Sequence, residues 1–278
     1  MKLAIITDTH WGARNDSQAF AEYFRKFYED IFFPTLMERD IRTVVHMGDI
    51  VDRRKFINYK TLYQMREIFF DTCWDRYINL HVIIGNHDTF FKNTNEVNSM
   101  DCLRMMSSGG EGDGGGMVKV YHDPTEVMFD GTKVFFQPWI CPENKQQSLD
   151  AMAKTDAQIL FGHLEVQGFE MHLGAINHEG LSPKVFEKFE YAFSGHFHHK
   201  SDNGNVYYLG NPYQITWSDY KDPRGFHIFD TETRELEFIL NPYEMFHKIY
   251  YDDEKMTLES IQNDDYSVYK GCYVKIVI

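Results

Sequence analysis

Three short apolar runs constrain this chain more than anything else in it: Lys2–Thr7, Thr43–Met47 and Leu80–Ile84, each followed directly by a polar cluster. Near-continuous apolar runs of this length are the pattern of internal strands in a sheet covered on both faces. Between the first two lies Ser17–Glu38, where Phe20, Phe24, Phe27 and Ile31 recur at helical spacing. Tyr59–Arg76 carries Leu62, Met65, Ile68 and Phe69 on one face in the same way. This βαβαβ opening predicts an α/β layered fold.

The second half is richer in strands: Thr125–Phe129, Lys133–Gln137, Gln158–Phe161, Tyr191–Ser194, Val206–Leu209, Phe226–Phe229 and Leu236–Leu240. Asp130-Gly131 between two of these runs is a hairpin signal. Two sheets stacked face to face with helices outside accommodate every run. The acidic tract Ser107–Gly116 lacks the Lys-Ser/Thr of a phosphate-cradling loop and reads as a linker between a helix, Glu96–Met106, and a strand, Met117–Tyr121. Cys272–Ile278 is a strand-like run without an evident partner, which suggests that a further domain opens here.

A chain of 278 residues can bury one large core with room for a small appendage. No run approaches the roughly 20 apolar residues that span a bilayer, and the expected location is the cytoplasm. Cys73, Cys102, Cys141 and Cys272 are scattered without Cys-x-x-Cys spacing, so they read as buried thiols rather than a metal ribbon. The net charge of −14 matters more. Proteins that bind nucleic acid over their whole surface are basic, because phosphate neutralisation supplies most non-specific affinity. Either the substrate is not a nucleic acid, or bound cations and a partner supply the positive field.

Five polar clusters follow predicted strands: Asp8-Thr9-His10, Gly48-Asp49, Gly85-Asn86-His87-Asp88, Gly162-His163 and Gly195-His196-Phe197-His198. Open α/β sheets place their sites at such strand ends. Together they offer aspartates, an asparagine and several histidines, a mixed oxygen and imidazole set that suits Mn, Fe or Zn better than Mg or Ca. The number of donors exceeds one site and matches two metals that share a bridging carboxylate. His46, His81, His122, His172, His178, His227 and His247 read as structural histidines. Arg53, Arg54 and Lys55 form a basic loop that could meet a DNA backbone or be a solvated turn.

Asp8-x-His10, Gly48-Asp49-x-x-Asp52, Gly85-Asn86-His87-Asp88, Gly162-His163 and Gly195-His196-x-His198 resemble the signature set of calcineurin-like metallophosphoesterases over about residues 1–240. Asp8–Gly12, Tyr208–Pro212 and Asp222–Phe226 narrow the resemblance to the SbcD-type nucleases of double-strand-break repair and phage recombination. That resemblance implies two stacked mixed sheets flanked by helices and a nuclease domain over 1–247. It also implies the opening of a DNA-capping domain over 248–278, exonuclease and endonuclease activity on DNA, and an SbcC-type ATPase partner. Relatives dimerise through helices near the Gly-rich tract, so a homodimer is also an expectation. Two Mn²⁺ ions are implied, with Mg²⁺ or another divalent metal as the alternative. Asp8, His10 and His198 would hold one metal; Asn86, His163 and His196 the other; Asp49 would bridge. His87 would face the scissile phosphate, with Asp88 orienting its ring. Asp52 stands where archaeal relatives carry His. A phosphoprotein phosphatase is the runner-up, but Ile84 and Asp88 stand where those enzymes place Arg and Glu. A non-catalytic scaffold would require lost ligands, and none is lost.

Overall fold

The computed structural model describes residues 1–101, 116–252 and 254–278. Most of the expected helix over Glu96–Met106, nearly all of the Gly-rich tract, and Cys102 lie outside them; residues 99–101 are helical.

Strands β1 (Lys2–Ile6), β2 (Thr43–His46), β3 (Asn79–Ile83) and β4 (Val118–Tyr121) run parallel to one another. The antiparallel pair β13 (Gly225–Asp230) and β14 (Leu236–Leu240) completes a first six-stranded sheet, ordered β14-β13-β1-β2-β3-β4. The second sheet begins with a hairpin. It joins β5 (Thr125–Phe129) to β6 (Thr132–Gln137) through Asp130 and Gly131 at φ 46° and 81°, the left-handed pair that a tight two-residue turn requires. β7 (Ile159–His163), β10 (Tyr191–Gly195) and β12 (Val206–Tyr208) follow in parallel, and the short β11 (Ser201–Asp202) closes that edge. The resulting order is β11-β12-β10-β7-β6-β5. A hairpin of β8 (Glu170–His172) and β9 (Ala175–Ile176) stands apart.

Side-chain alternation explains the layering. In β1, Leu3 and Ile5 enter the core between the sheets, while Ala4 and Ile6 face the helices. In β7, Ile159 and Phe161 face the first sheet, while Leu160 faces outward onto another apolar layer. The result is helix, sheet, sheet, helix. The first outer layer is α1, which runs Gln18–Phe27, widens to a π-helical stretch at Tyr28–Phe32 and resumes as Phe33–Glu38. Pro34, with no N–H to donate, sits at the start of that last segment, where the widened turn absorbs the missing bond. α2 runs Tyr59–Met65, Arg66–Asp71 and Thr72–Asp75, and Asn58 caps its start by accepting from the Lys60 N–H at 2.8 Å. α3 (Lys145–Lys154) covers the second sheet, with Met152 buried against it.

The terminal run has a partner after all: β16 (Tyr273–Val277) pairs in parallel with β15 (Phe246–Tyr250), across the short α4 (Leu258–Gln262). The expected division after residue 247 falls inside β15, whose first residue, Phe246, belongs to the main core. Cys73, Cys141 and Cys272 are free thiols, the first two buried. Of the histidines read as structural, His46, His81 and His227 are buried, whereas His172 and His178 are exposed. Among the described residues no helix is long and apolar enough to cross a membrane.

Candidate metal centre

The carboxyl ends of β1, β2 and β3 converge with those of β7 and β10, and all five predicted clusters meet there. Asp8 and His10 follow β1 with positive φ of 52° and 43°, and Asp49 follows β2 at 54°. Left-handed backbone at residues other than glycine is strained and persists where surrounding contacts over-determine it. Here the loops pin one another: the Asp8 N–H donates to the Gly48 carbonyl at 3.0 Å, and the His10 N–H to the Asp49 carbonyl at 3.1 Å. Gly85 lies so close that a Cβ there would collide with the backbone nitrogen and carboxylate of Asp49.

Three donor sets fall within 4.8 Å of one another internally: Asp8, His10 and His198; His10, Asp49 and His87; and Asp49, His163 and His196. His10 Nε2 and His198 Nε2 lie 3.0 Å apart, with Asp8 Oδ1 at 3.9 and 4.0 Å from them. His163 donates Nδ1–H to the Met47 carbonyl at 2.7 Å, a partner that can only accept. Its Nε2 is left as the candidate ligand atom, facing Asn86 Oδ1 at 2.9 Å and Asp49 Oδ2 at 3.4 Å. His196 Nδ1 approaches the same Asn86 oxygen at 2.8 Å. Asp49 Oδ2 is 3.9 Å from His10 Nε2 as well, so this carboxylate stands between the two groups.

The electrostatics are those of a cavity built for cations. Burial, with Asp49 nearby, pushes Asp8 up to about 7. Burial would raise Asp49 too, but His163, His87 and His10 hold it well below the ordinary carboxylate range. His163 is driven the other way: burial opposes its charge, yet the Asp49 carboxylate lifts it to about 9. Burial lowers His196 to about 3 and His198 to about 4. Buried carboxylates in mutual repulsion, His196 and His198 kept neutral, His163 held against a carboxylate and one amide oxygen shared by two rings fit divalent cations in their donor chemistry.

Two expectations change on this geometry. Asp88 does not orient the His87 ring. Its buried carboxylate accepts from the N–H groups of Gly85, Asp49 and Ile50 at 2.9, 2.8 and 2.9 Å and of Val51 at 3.3 Å. Four donors in loops around it outcompete one side chain. The His87 ring is held instead by the Asp52 carbonyl, 2.6 Å from Nδ1. The basic loop is also partly spent inside the protein. Arg53 pairs with Asp16 and lies 4.4 Å over the Phe56 ring, and Arg54 donates to Thr89 Oγ1 at 3.3 Å and to the Phe91 carbonyl at 3.1 Å. Lys55 remains exposed. Sequence reasoning assigned no role to Arg224, which bonds the His198 carbonyl; its only signal was the Asp222–Phe226 stretch.

The calcineurin-like phosphoesterase profile matches residues 1–200. Exonuclease subunit 1 of Enterobacteria phage T4 is 37% identical over 255 residues, 90% of this chain and 71% of that protein. The SbcD component of the SbcCD nuclease from Staphylococcus epidermidis is 27% identical over 105 residues, 34% of this chain and 27% of that one. A solved archaeal phosphodiesterase aligns over 87% of this chain and 100% of its own at 14% identity, with a TM-score of 0.41. The profile and the two nuclease relatives define a phosphoester-hydrolysing enzyme. The chain belongs to the calcineurin-like phosphoesterases.

Proposed function

We propose that this chain is a two-metal DNA nuclease of the SbcD type, working as exonuclease and single-strand endonuclease in double-strand-break processing and recombination. The observation that carries this reading is the convergence of the donor sets Asp8–His10–His198 and Asp49–His163–His196, with His10, Asp49 and His87 forming a third set between them. Similarity to a phage exonuclease component and to an SbcD nuclease supports DNA as substrate and an SbcC-type ATPase as partner. The same resemblance implies a host cytoplasm as location and a DNA-capping role for residues 248–278.

In this reading Asp8, His10 and His198 hold one cation and Asn86, His163 and His196 the other, with Asp49 shared; Mn²⁺ suits the mixed donors. Bound by these residues, divalent cations would supply Lewis acidity toward the phosphoester. His163 and Asn86 contribute by orientation, since the Met47 carbonyl fixes which imidazole nitrogen is free. His87, with Nδ1 committed to the Asp52 carbonyl, offers Nε2 to the phosphate or the leaving oxygen. Arg54 and Arg53 shape the loop beside it, and Lys55 is the member of the basic trio placed to meet phosphate.

The test is an assay of labelled single-stranded and duplex DNA beside a phosphopeptide, with Mn²⁺ and with chelator. Mn²⁺-dependent DNA cleavage without phosphopeptide turnover is expected. The reverse selectivity, or cleavage indifferent to chelator, would refute it.

A further inference from the structure

Two stretches that mark the resemblance, Tyr208–Pro212 and Asp222–Phe226, contribute no donor to the centre, yet they share a task. Arg224 is 4% exposed, at the head of β13, and acceptors surround its guanidinium. One terminal nitrogen donates to the His198 carbonyl and to Asn211 Oδ1. The other donates to Asp219 Oδ1 at 2.9 Å and to Asp222 Oδ2 at 2.7 Å. Asp219 in turn accepts from the N–H groups of Ile215 and Thr216 at 2.7 and 2.8 Å. Asp222 Oδ2 also lies 2.8 Å from His199 Nδ1. A single planar cation therefore ties the His198–His199 turn to the Gly210–Pro212 turn and to the segment ending at Asp222.

His198 needs such a tie. β10 ends at Gly195, so no strand pairing fixes the backbone three residues later. Apart from Arg224, its carbonyl accepts, among the described residues, only a long 3.4 Å contact from the Asn211 N–H. Burying a guanidinium costs solvation, and an apolar replacement of Arg224 alone would leave the buried Asp219 and Asp222 carboxylates without their counter-charge. What an apolar residue cannot supply is a rigid fork that holds a carbonyl and a carboxylate in fixed relation.

We infer that Arg224 is a positioning residue for the metal centre: through the His198 carbonyl it sets the imidazole that completes the Asp8–His10 donor group, while leaving the His163–His196 group untouched. The inference rests on the proposed metal reading and specifies which half of the centre depends on a residue that touches neither metal nor substrate.

The experiment is calorimetric titration with Mn²⁺ of the wild-type chain, Arg224→Met, Arg224→Lys, His198→Ala and the Arg224→Met/His198→Ala double variant, with thermal unfolding in parallel. Two ions are expected for the wild type. In Arg224→Met one ion should weaken by about 10–100-fold, the range for residues that orient a ligand, and the other should keep its affinity. Arg224→Lys should not rescue, because an ammonium lacks the fork. In the double variant, Arg224→Met should cost the remaining ion nothing further, since both changes strike one site. A folded Arg224→Met chain with both ions at wild-type affinity overturns the inference, as does equal weakening of both. Should Arg224→Met fail to fold, Asn211→Ala decides: it removes one guanidinium acceptor, and selective weakening of the same ion supports the inference while unchanged binding overturns it. His198→Ala retaining both ions would instead refute the metal reading itself.

Discussion

The two sheets build their halves of the centre by different means. The first sheet offers Asp8, His10, Asp49, Asn86 and His87 from three loops: backbone bonds join the first to the second, and the Asp88 carboxylate is the common acceptor of the second and third. The second offers His163 from within a strand, fixed by one ring bond, and His196 and His198 from a turn beyond its strand. His196 is anchored by its N–H to the Asp8 carboxylate at 3.0 Å, and His198 by Arg224. Backbone scaffolding holds Asp8, His10 and Asp49 at positive φ, and the second sheet's turn holds His196 there too, at 85°. Side-chain tethering leaves a ligand at the mercy of one distant residue.

The largest expected effect is at the point where the halves meet. Asp49→Ala should cost both ions and lower DNA cleavage by on the order of 10³-fold or more, several kcal/mol of transition-state stabilisation. His163→Ala should cost chiefly one ion. Metal analysis of the two purified variants separates these outcomes, and an Asp49→Ala chain that loses a single ion would break the symmetry of the comparison.

A smaller effect probes the first sheet's scaffold. Asp88→Asn turns an NH₂ group toward loop N–H donors, so thermal or urea unfolding should show a loss of about 1.5–3 kcal/mol, the scale for hydrogen bonds to a charged group. The His87 ring contact to the Asp52 carbonyl should survive in a crystal structure of the variant. Unchanged stability with a displaced His87 ring would restore the orienting role that this geometry denies to Asp88.

Much of this was legible in the sequence because the strands are short, apolar and punctuated by polar clusters: every cluster lies where β1, β2, β3, β7 and β10 end. The Asp130-Gly131 turn was legible for the same local reason. What escaped depends on distant contacts. α3 is largely polar along Lys145–Lys154, so its periodicity gave no signal. β15 and β16 are joined across the chain from Tyr251 to Cys272, a pairing that neither run announces. Asp88 and Arg224 act on backbone groups, and a backbone carbonyl leaves no trace in residue identity.

The smallest prediction concerns acid stability away from the centre. Burial lowers His81 to about 4 and His227 to about 3, and both lie in the first sheet. The unfolded chain binds these protons near pH 6.5 whereas the folded chain does not, so stability should fall as pH drops from about 6.5 toward about 4. Each histidine should contribute at most about 1.4 kcal/mol per pH unit across that window. His227→Phe should flatten the slope in urea unfolding series at stepped pH; an unchanged slope would place the acid limb elsewhere.

The most direct test of a centre shared between the sheets is anomalous scattering from crystals soaked in Mn²⁺. Two peaks are expected, one among Asp8, His10 and His198 and one among Asn86, His163 and His196, with the Asp49 carboxylate between them. A single peak, or peaks that leave either sheet's donors without an ion, would contradict it.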